Sequence, residues 1–126
     1  MMSTIVDIKS DASKFLASIY AIVSDHMFME ARIISTSGFA RQQYFDIATL
    51  RASQFDLSAL RSLDGQANVY FSVIARIRHQ GTADACGPAT VIWCDFDGGA
   101  PAALPLPPSV VVETSPKRYQ AYWLLN

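Results

Sequence analysis

The sequence predicts an α/β fold, built as a single domain over residues 1–126. Of its 126 residues, 51% are hydrophobic, which is enough for one core but hardly for a second. Apolar residues recur at helical spacing near the N-terminus, and later segments show the alternation or the unbroken apolar runs that are typical of strands. We therefore expect a mostly antiparallel sheet with helices packed on it.

The first elements are a helix and a strand. Over residues 11–23 the apolar side chains form one helical face, and Ser10 or Asp11 can cap the N-terminus. Residues 27–34 switch to a period of two, which predicts a strand whose second face is partly covered. The following stretch, residues 35–50, is predicted to be irregular.

A short helix and the clearest strand come next. Residues 56–65, "DLSALRSLDG", begin with a capping aspartate and end with a glycine at the position where a helix stops. Residues 67–78, "ANVYFSVIARIR", keep apolar side chains on one face and polar ones on the other, so we predict a strand along their whole length. Residues 79–89 form a loop.

The last third contains a strand, a proline-rich loop and a hairpin. Residues 90–97 are almost continuously apolar up to two acids, which predicts a central strand covered on both faces, with Cys94 in the core. Prolines exclude a strand over residues 98–108. Residues 109–126 are predicted to form a hairpin with its turn at "PKR".

Composition and charge exclude several classes of protein. Ten basic and eleven acidic residues leave no overall field that attracts nucleic acid. Cys86 and Cys94 lack the spacing of a zinc site or a disulfide framework. The N-terminus lacks a signal-peptide pattern and no apolar run reaches the length of a membrane span, so we expect a cytoplasmic protein without a membrane partner.

Asp95 and Asp97 are the candidate metal ligands. In a regular strand they project from the same face, about 6–7 Å apart, and Gly98 and Gly99 allow the chain to turn away, leaving the acids at an open strand end. Mg²⁺ or Mn²⁺ takes such oxygen ligands and completes its shell with water and substrate phosphates. An alternative is that the acids are only the polar end of a strand, since this pattern alone is weak evidence.

The hairpin turn is the candidate phosphate-binding element. Ser115, Lys117, Arg118 and Gln120 bring a hydroxyl, two cations and an amide together within six residues, a set suited to phosphate oxygens. An ordinary basic hairpin turn is the alternative interpretation.

Three stretches in the C-terminal half, "NVYF", "VIWCDFDGG" and "LPPSVVVETSPKRYQAYWLL", resemble the archaeo-eukaryotic primase superfamily, and most closely its RepB-like plasmid and phage branch. The resemblance implies that Asp95 and Asp97 ligate the catalytic Mg²⁺ or Mn²⁺ ions. It also implies that Ser115 and Gln120 contact the phosphates of the incoming nucleotide, although many members have histidine where this chain has Gln120.

The resemblance further implies an N-terminal αβ module over about residues 1–66 and part of an RRM-like catalytic module, incomplete at the C-terminus, over about residues 67–126. The family's third acidic motif would fall beyond Asn126. The function implied is that of a DNA primase/polymerase-type nucleotidyltransferase of a mobile element, with nucleoside triphosphate and single-stranded DNA template as partners, incomplete for catalysis.

The alternative function is a catalytically inactive, primase-derived binding protein. Such a protein would act as an inhibitor or adaptor of a host or replication protein. An open sheet edge would also allow a homodimer.

Overall fold

The computed structural model of the chain describes residues 4–6, 8–63, 65–98 and 104–125. Two compact units are present: Met1–Ala21 together with Thr90–Asn126 form unit 1, and Ile22–Ala89 form unit 2. The single domain with modules over about residues 1–66 and 67–126, which the resemblance implies, stays a prediction. Each unit contains its own sheet and at least one helix, so the fold is mixed α+β.

The described residues form three α-helices and seven strands. The helices are α1 (Ile8–Ile19), α2 (Ile47–Ala52) and α3 (Ser58–Arg61), and the strands are β1 (Thr4–Val6), β2 (Phe28–Ser35), β3 (Ala40–Asp46), β4 (Ala67–Phe71), β5 (Val91–Phe96), β6 (Val110–Ser115) and β7 (Arg118–Leu124). None of the helices described is long and apolar enough to cross a membrane.

Unit 1 is a four-stranded sheet with α1 packed against it. The strand order is β1-β6-β7-β5, in which β1 runs parallel to β6 and the other pairs are antiparallel. On α1, Phe15 contacts Tyr122 of β7 edge to face, with 5.0 Å between the ring centroids, and Val112 of β6 is fully buried. The predicted helix and hairpin are therefore confirmed, although the helix runs from Ile8 to Ile19 instead of from 11 to 23. Ser10 and Asp11 lie inside this helix, so the prediction that one of them caps it is wrong.

The predicted central position of β5 is wrong. The strand itself is present, but among the described strands β5 pairs only with β7 and forms the edge of the sheet. Val91 is buried, whereas Ile92 and Trp93 are 55% and 44% exposed and Cys94 is exposed as well. An unbroken apolar run predicts burial on both faces, but the run itself carries no information about whether a second strand pairs with it.

Unit 2 is a three-stranded antiparallel sheet with β2 in the centre and the order β3-β2-β4. Alternate residues of β2, Met29, Ala31 and Ile33, are buried. Ile47 and Leu50 of α2 are buried too. The predicted strand over residues 27–34 is confirmed within one residue at each end.

Residues 35–50 are not irregular, contrary to the prediction, because they contain β3 and the first four residues of α2. β3 pairs with β2 along its whole length, but its residues are exposed or only half-buried. A strand of this kind lacks the apolar alternation by which strands are recognised in a sequence.

The strand predicted over residues 67–78 is shorter than expected, because β4 ends at Phe71. Further on, Arg76 makes only isolated bridges with Phe28 and Cys86. The short helix predicted over residues 56–65 is present only as Ser58–Arg61, with Leu57 at the N-cap position. Asp56 Oδ1 still accepts a hydrogen bond of 3.0 Å from the Ser58 amide. Of the proline-rich loop, residues 99–103 lie outside the described residues, and residues 104–108 form no strand.

Candidate functional site

The end of the unit 1 sheet brings the predicted metal-binding and phosphate-binding segments together. β5 and β7 are antiparallel, so the C-terminal end of β5 lies beside the start of β7, where the hairpin turn is. In the register of this pair, Asp95 is directly opposite Gln120. Directly opposed residues of an antiparallel pair project from the same face with their Cβ atoms about 5 Å apart. Two residues proposed for different roles are thus immediate neighbours.

Asp97, unlike Asp95, lies outside the pairing of β5 with β7. The ladder between β5 and β7 ends with the pair of Phe96 and Tyr119, and Asp97 follows in a bend. Both acids are exposed. Because Asp97 lies outside the strand, strand alternation does not fix its direction, but it leaves the sheet at the same end as the turn.

The hairpin turn presents its polar residues to solvent. Ser115 pairs with Arg118 across the turn, after an irregularity in the register that begins at Glu113. Lys117 has a φ of 64°, which is a left-handed backbone conformation. In a β-turn with proline at the second position, as here, the third position usually holds glycine because glycine adopts this conformation without strain. Ser115, Lys117 and Arg118 are all exposed, so the turn positions a hydroxyl and two cations on the surface.

Tyr122 is a part of this site that the sequence reasoning missed. Its hydroxyl donates a hydrogen bond of 2.6 Å to Oε1 of Gln120. Burial and then the negative charge of Asp95 raise the pKa of Tyr122 to about 12. The available signal was the spacing of two residues between Gln120 and Tyr122, which places both on one face of the strand. Since Oε1 of Gln120 already accepts the hydrogen bond from Tyr122, its Nε2 is the atom that can donate to an anionic ligand.

The donor set suits a hard divalent cation that keeps most of its water. Asp95 and Asp97 supply carboxylate oxygens, the ligand type that Mg²⁺ and Mn²⁺ prefer. Within the described residues, no group of three or more acidic, histidine or cysteine side chains could hold a metal ion. A cation at these acids would therefore need water and ligand phosphates to complete its shell.

Glu113 does not add a third carboxylate to the pair. It lies opposite Tyr119, which in turn lies opposite Phe96, and this row projects from the other face of the sheet than Asp95 and Gln120. A hydrogen bond to the Glu113 carboxylate, followed by partial burial, raises the pKa of Tyr119. Glu113 therefore interacts with Tyr119 on the opposite face of the sheet and does not reach a cation at Asp95.

Comparisons of the chain with protein families, with curated proteins and with solved structures found no match.

Proposed function

We propose that this chain is a primase-type nucleotidyltransferase module that binds a nucleoside triphosphate together with Mg²⁺ or Mn²⁺ at the end of the unit 1 sheet. The observation that supports it best is the register of β5 and β7, in which Asp95 lies opposite Gln120 at the end of the sheet that also carries the turn. The resemblance of three short stretches to the archaeo-eukaryotic primases, including the RRM-like module expected there, belongs to the same proposal.

Each residue has a role that follows from its chemistry. Asp95 and Asp97 would hold the cation, whose positive charge would offset their mutual repulsion and attract the triphosphate. Lys117 and Arg118 contact phosphate oxygens, with Arg118 able to form paired hydrogen bonds. Gln120 donates from its amide nitrogen while Tyr122 fixes its other end.

The left-handed conformation of Lys117 favours a role for this residue. An L-amino acid with a side chain loses roughly 1–2 kcal/mol in this conformation, and glycine does not. A lysine kept at such a position is a cost to stability, and strained residues cluster where ligands bind. Its exposed ammonium group supports contact with an anion.

The proposed module binds nucleotide but does not extend primers by itself. Phosphoryl transfer depends on metal ions and cations fixed around the developing charge, and loss of one component removes most of the activity. The described residues offer only two carboxylates for the metal. We expect no template-dependent extension in a primer-extension assay with Mn²⁺ and labelled nucleotides. Extension that disappears in Asp95→Ala would show instead that the chain is an active polymerase.

Calorimetric titration tests the binding proposal directly. Titration with MnCl₂ should give a weak signal, with a Kd of about 1 mM, and ATP should bind more tightly when Mn²⁺ is present. Asp95→Asn should remove the Mn²⁺ signal, whereas Lys117→Gln should weaken ATP and leave Mn²⁺ binding unchanged. The matched control is Asp46→Asn, an exposed acid at the end of β3. Identical titrations of wild type and Asp95→Asn would refute the proposal.

A second candidate function, a catalytically inactive binding protein, is favoured by the exposed apolar residues of β5. Ile92 and Trp93 are large, about half-exposed side chains on an edge strand, and such edges pair with strands of other chains. A second copy of the chain is the simplest partner to test. Sedimentation velocity should then show a dimer that Ile92→Lys disrupts. Ile22→Lys, at an equally exposed isoleucine of unit 2, is the control, and a monomer at all concentrations would reject self-pairing.

A further inference from the structure

The second face of the unit 2 sheet carries a polar cluster around a buried carboxylate. Glu30 alternates with the core residues of β2 and so lies on the face opposite to them, yet it is only 4% exposed. Among the residues that the structure describes, Glu30 is the single charged residue that is buried. A buried carboxylate requires partners, and these come from β2 itself, from β3 and from the segment after β4.

The partners of Glu30 are two neutral donors and two arginines. Its Oε2 accepts hydrogen bonds from Gln42 Nε2 at 2.8 Å and from the Tyr44 hydroxyl at 3.0 Å. Its Oε1 lies 3.4 Å from Arg76 Nη2 and 3.6 Å from Arg32 Nη2. The two neutral hydrogen bonds are short, and the two ion pairs are long. The carboxylate thus orients both guanidinium groups without using their donors fully.

Both arginines line a cavity of about 400 Å³. Its other walls are formed by the carboxylate of Glu30 and by the side chains of β2, β4 and the segment that follows β4, namely Ile34, Tyr70, Phe71 and Ser72. Two positive charges face one negative charge, which leaves the lining with a net charge of about +1. Cavities of this size hold small organic ligands.

Two features indicate what kind of ligand fits. Arg32 lies directly opposite Tyr70, and Tyr70 is 54% exposed, so a planar group can stack beside a guanidinium. Arg32 itself keeps half of its side chain exposed. Within the described residues, the buried Nε of Arg76 has no hydrogen-bond partner, although its Nη1 contacts the Cys86 sulfur. The half-exposed guanidinium of Arg32, opposite an aromatic ring, suits an oxyanion attached to a planar group.

We propose that this cavity is a binding site for a small aromatic oxyanion, in which Arg32 and Arg76 bind a phosphate or carboxylate group and Tyr70 stacks on the attached ring. Glu30 is a positioning residue that holds the two arginines. The site lies entirely within unit 2 and is independent of the nucleotide site proposed for unit 1.

Titration followed by ¹H–¹⁵N NMR tests this proposal and distinguishes the two oxyanions. Adenosine 5′-monophosphate and benzoate are the charged probes, and adenosine and benzamide are their neutral counterparts. At least one charged probe should cause saturable shifts at Arg32 and Tyr70, and its neutral counterpart should bind more weakly by about tenfold or more.

Arg32→Gln should weaken the charged probe by about tenfold or more, and Tyr70→Leu should also weaken it. Both residues are about half-exposed, so these variants keep the core intact. The matched control is Arg41→Gln, which removes the same charge from the opposite face of the same sheet, where Arg41 lies opposite Ile33. The proposal is overturned by an absence of saturable shifts with both charged probes, by equal binding of the neutral probes, or by equal weakening in Arg41→Gln.

Discussion

The electrostatic link between Asp95 and Tyr122 gives the sharpest test of the geometry at the end of the unit 1 sheet. The pKa of Tyr122 is raised to about 12, first by burial and second by the charge of Asp95. In Asp95→Asn the second cause is removed and the first remains. The pKa of Tyr122 should therefore fall in this variant, but stay above the ordinary tyrosine value of about 10.

The shift also predicts how stability depends on pH. The folded state favours the neutral phenol, so Tyr122 contributes its full stability below pH 10 and loses it as the pH rises from about 10 to 12. Two pKa units correspond to about 3 kcal/mol in total, and at pH 11 the loss is about 1 kcal/mol. In urea unfolding, wild type should lose about this much more than Tyr122→Phe between pH 9 and pH 11.

The assay and its control follow from the register. The ¹³Cζ resonance of Tyr122, assigned by its absence in Tyr122→Phe, reports the pKa directly. Asp97→Asn is the control, since Asp97 lies outside the strand and is not a cause of the shift. An equal effect of both asparagine variants would refute the placement of Asp95 beside Tyr122. Titration of wild-type Tyr122 near pH 10 would refute the burial of its hydroxyl, which is the first cause of the shift.

Three further substitutions have defined outcomes. Glu30→Gln removes the buried carboxylate and leaves the largely buried Arg76 without its counter-charge. The free energy of unfolding, measured by hydrogen exchange of the β2 amides, should therefore fall by about 3 kcal/mol. Lys117→Gly removes the side chain that disfavours the φ of 64° at this position. The free energy of unfolding should stay unchanged or rise by up to about 1 kcal/mol, and the melting temperature should follow it; a clear decrease would contradict the strained turn. Gly81→Ala adds a Cβ that meets Gln42 and the Glu30 carboxylate and should cost about 1–3 kcal/mol in urea unfolding, whereas neutral behaviour would contradict that close approach.

The elements that could be predicted from sequence are those specified by local patterns. α1 has its apolar face at helical spacing, and Phe15 of that face contacts Tyr122 in the sheet. The C-terminal hairpin was predictable because Pro116 and Lys117 interrupt two apolar runs. In both cases the deciding signal lies within one short segment.

The errors concern information that no short segment carries. The apolar pattern of β5 defines a strand but not its neighbours, and its edge position depends on which strands pair elsewhere in the sheet. β3 pairs fully with β2, although its own side chains are mostly polar. Register between distant strands is set by the pairing of whole elements, so the neighbourhood of Asp95 and Gln120 was also beyond reach.

The same reasoning explains why the sequence pointed to Asp95 and missed Glu30. Two acids beside two glycines form a visible motif, whereas Glu30 stands alone at an alternating position of β2 and resembles any surface acid. Its burial depends on Gln42, Tyr44 and Arg76, which come from β3 and from a loop after β4. Exposure then separates the chemistry of the two carboxylates. Asp95 can exchange water for a cation, while the oxygens of Glu30 already accept hydrogen bonds, so that Glu30 can act on a ligand only through the arginines that it holds.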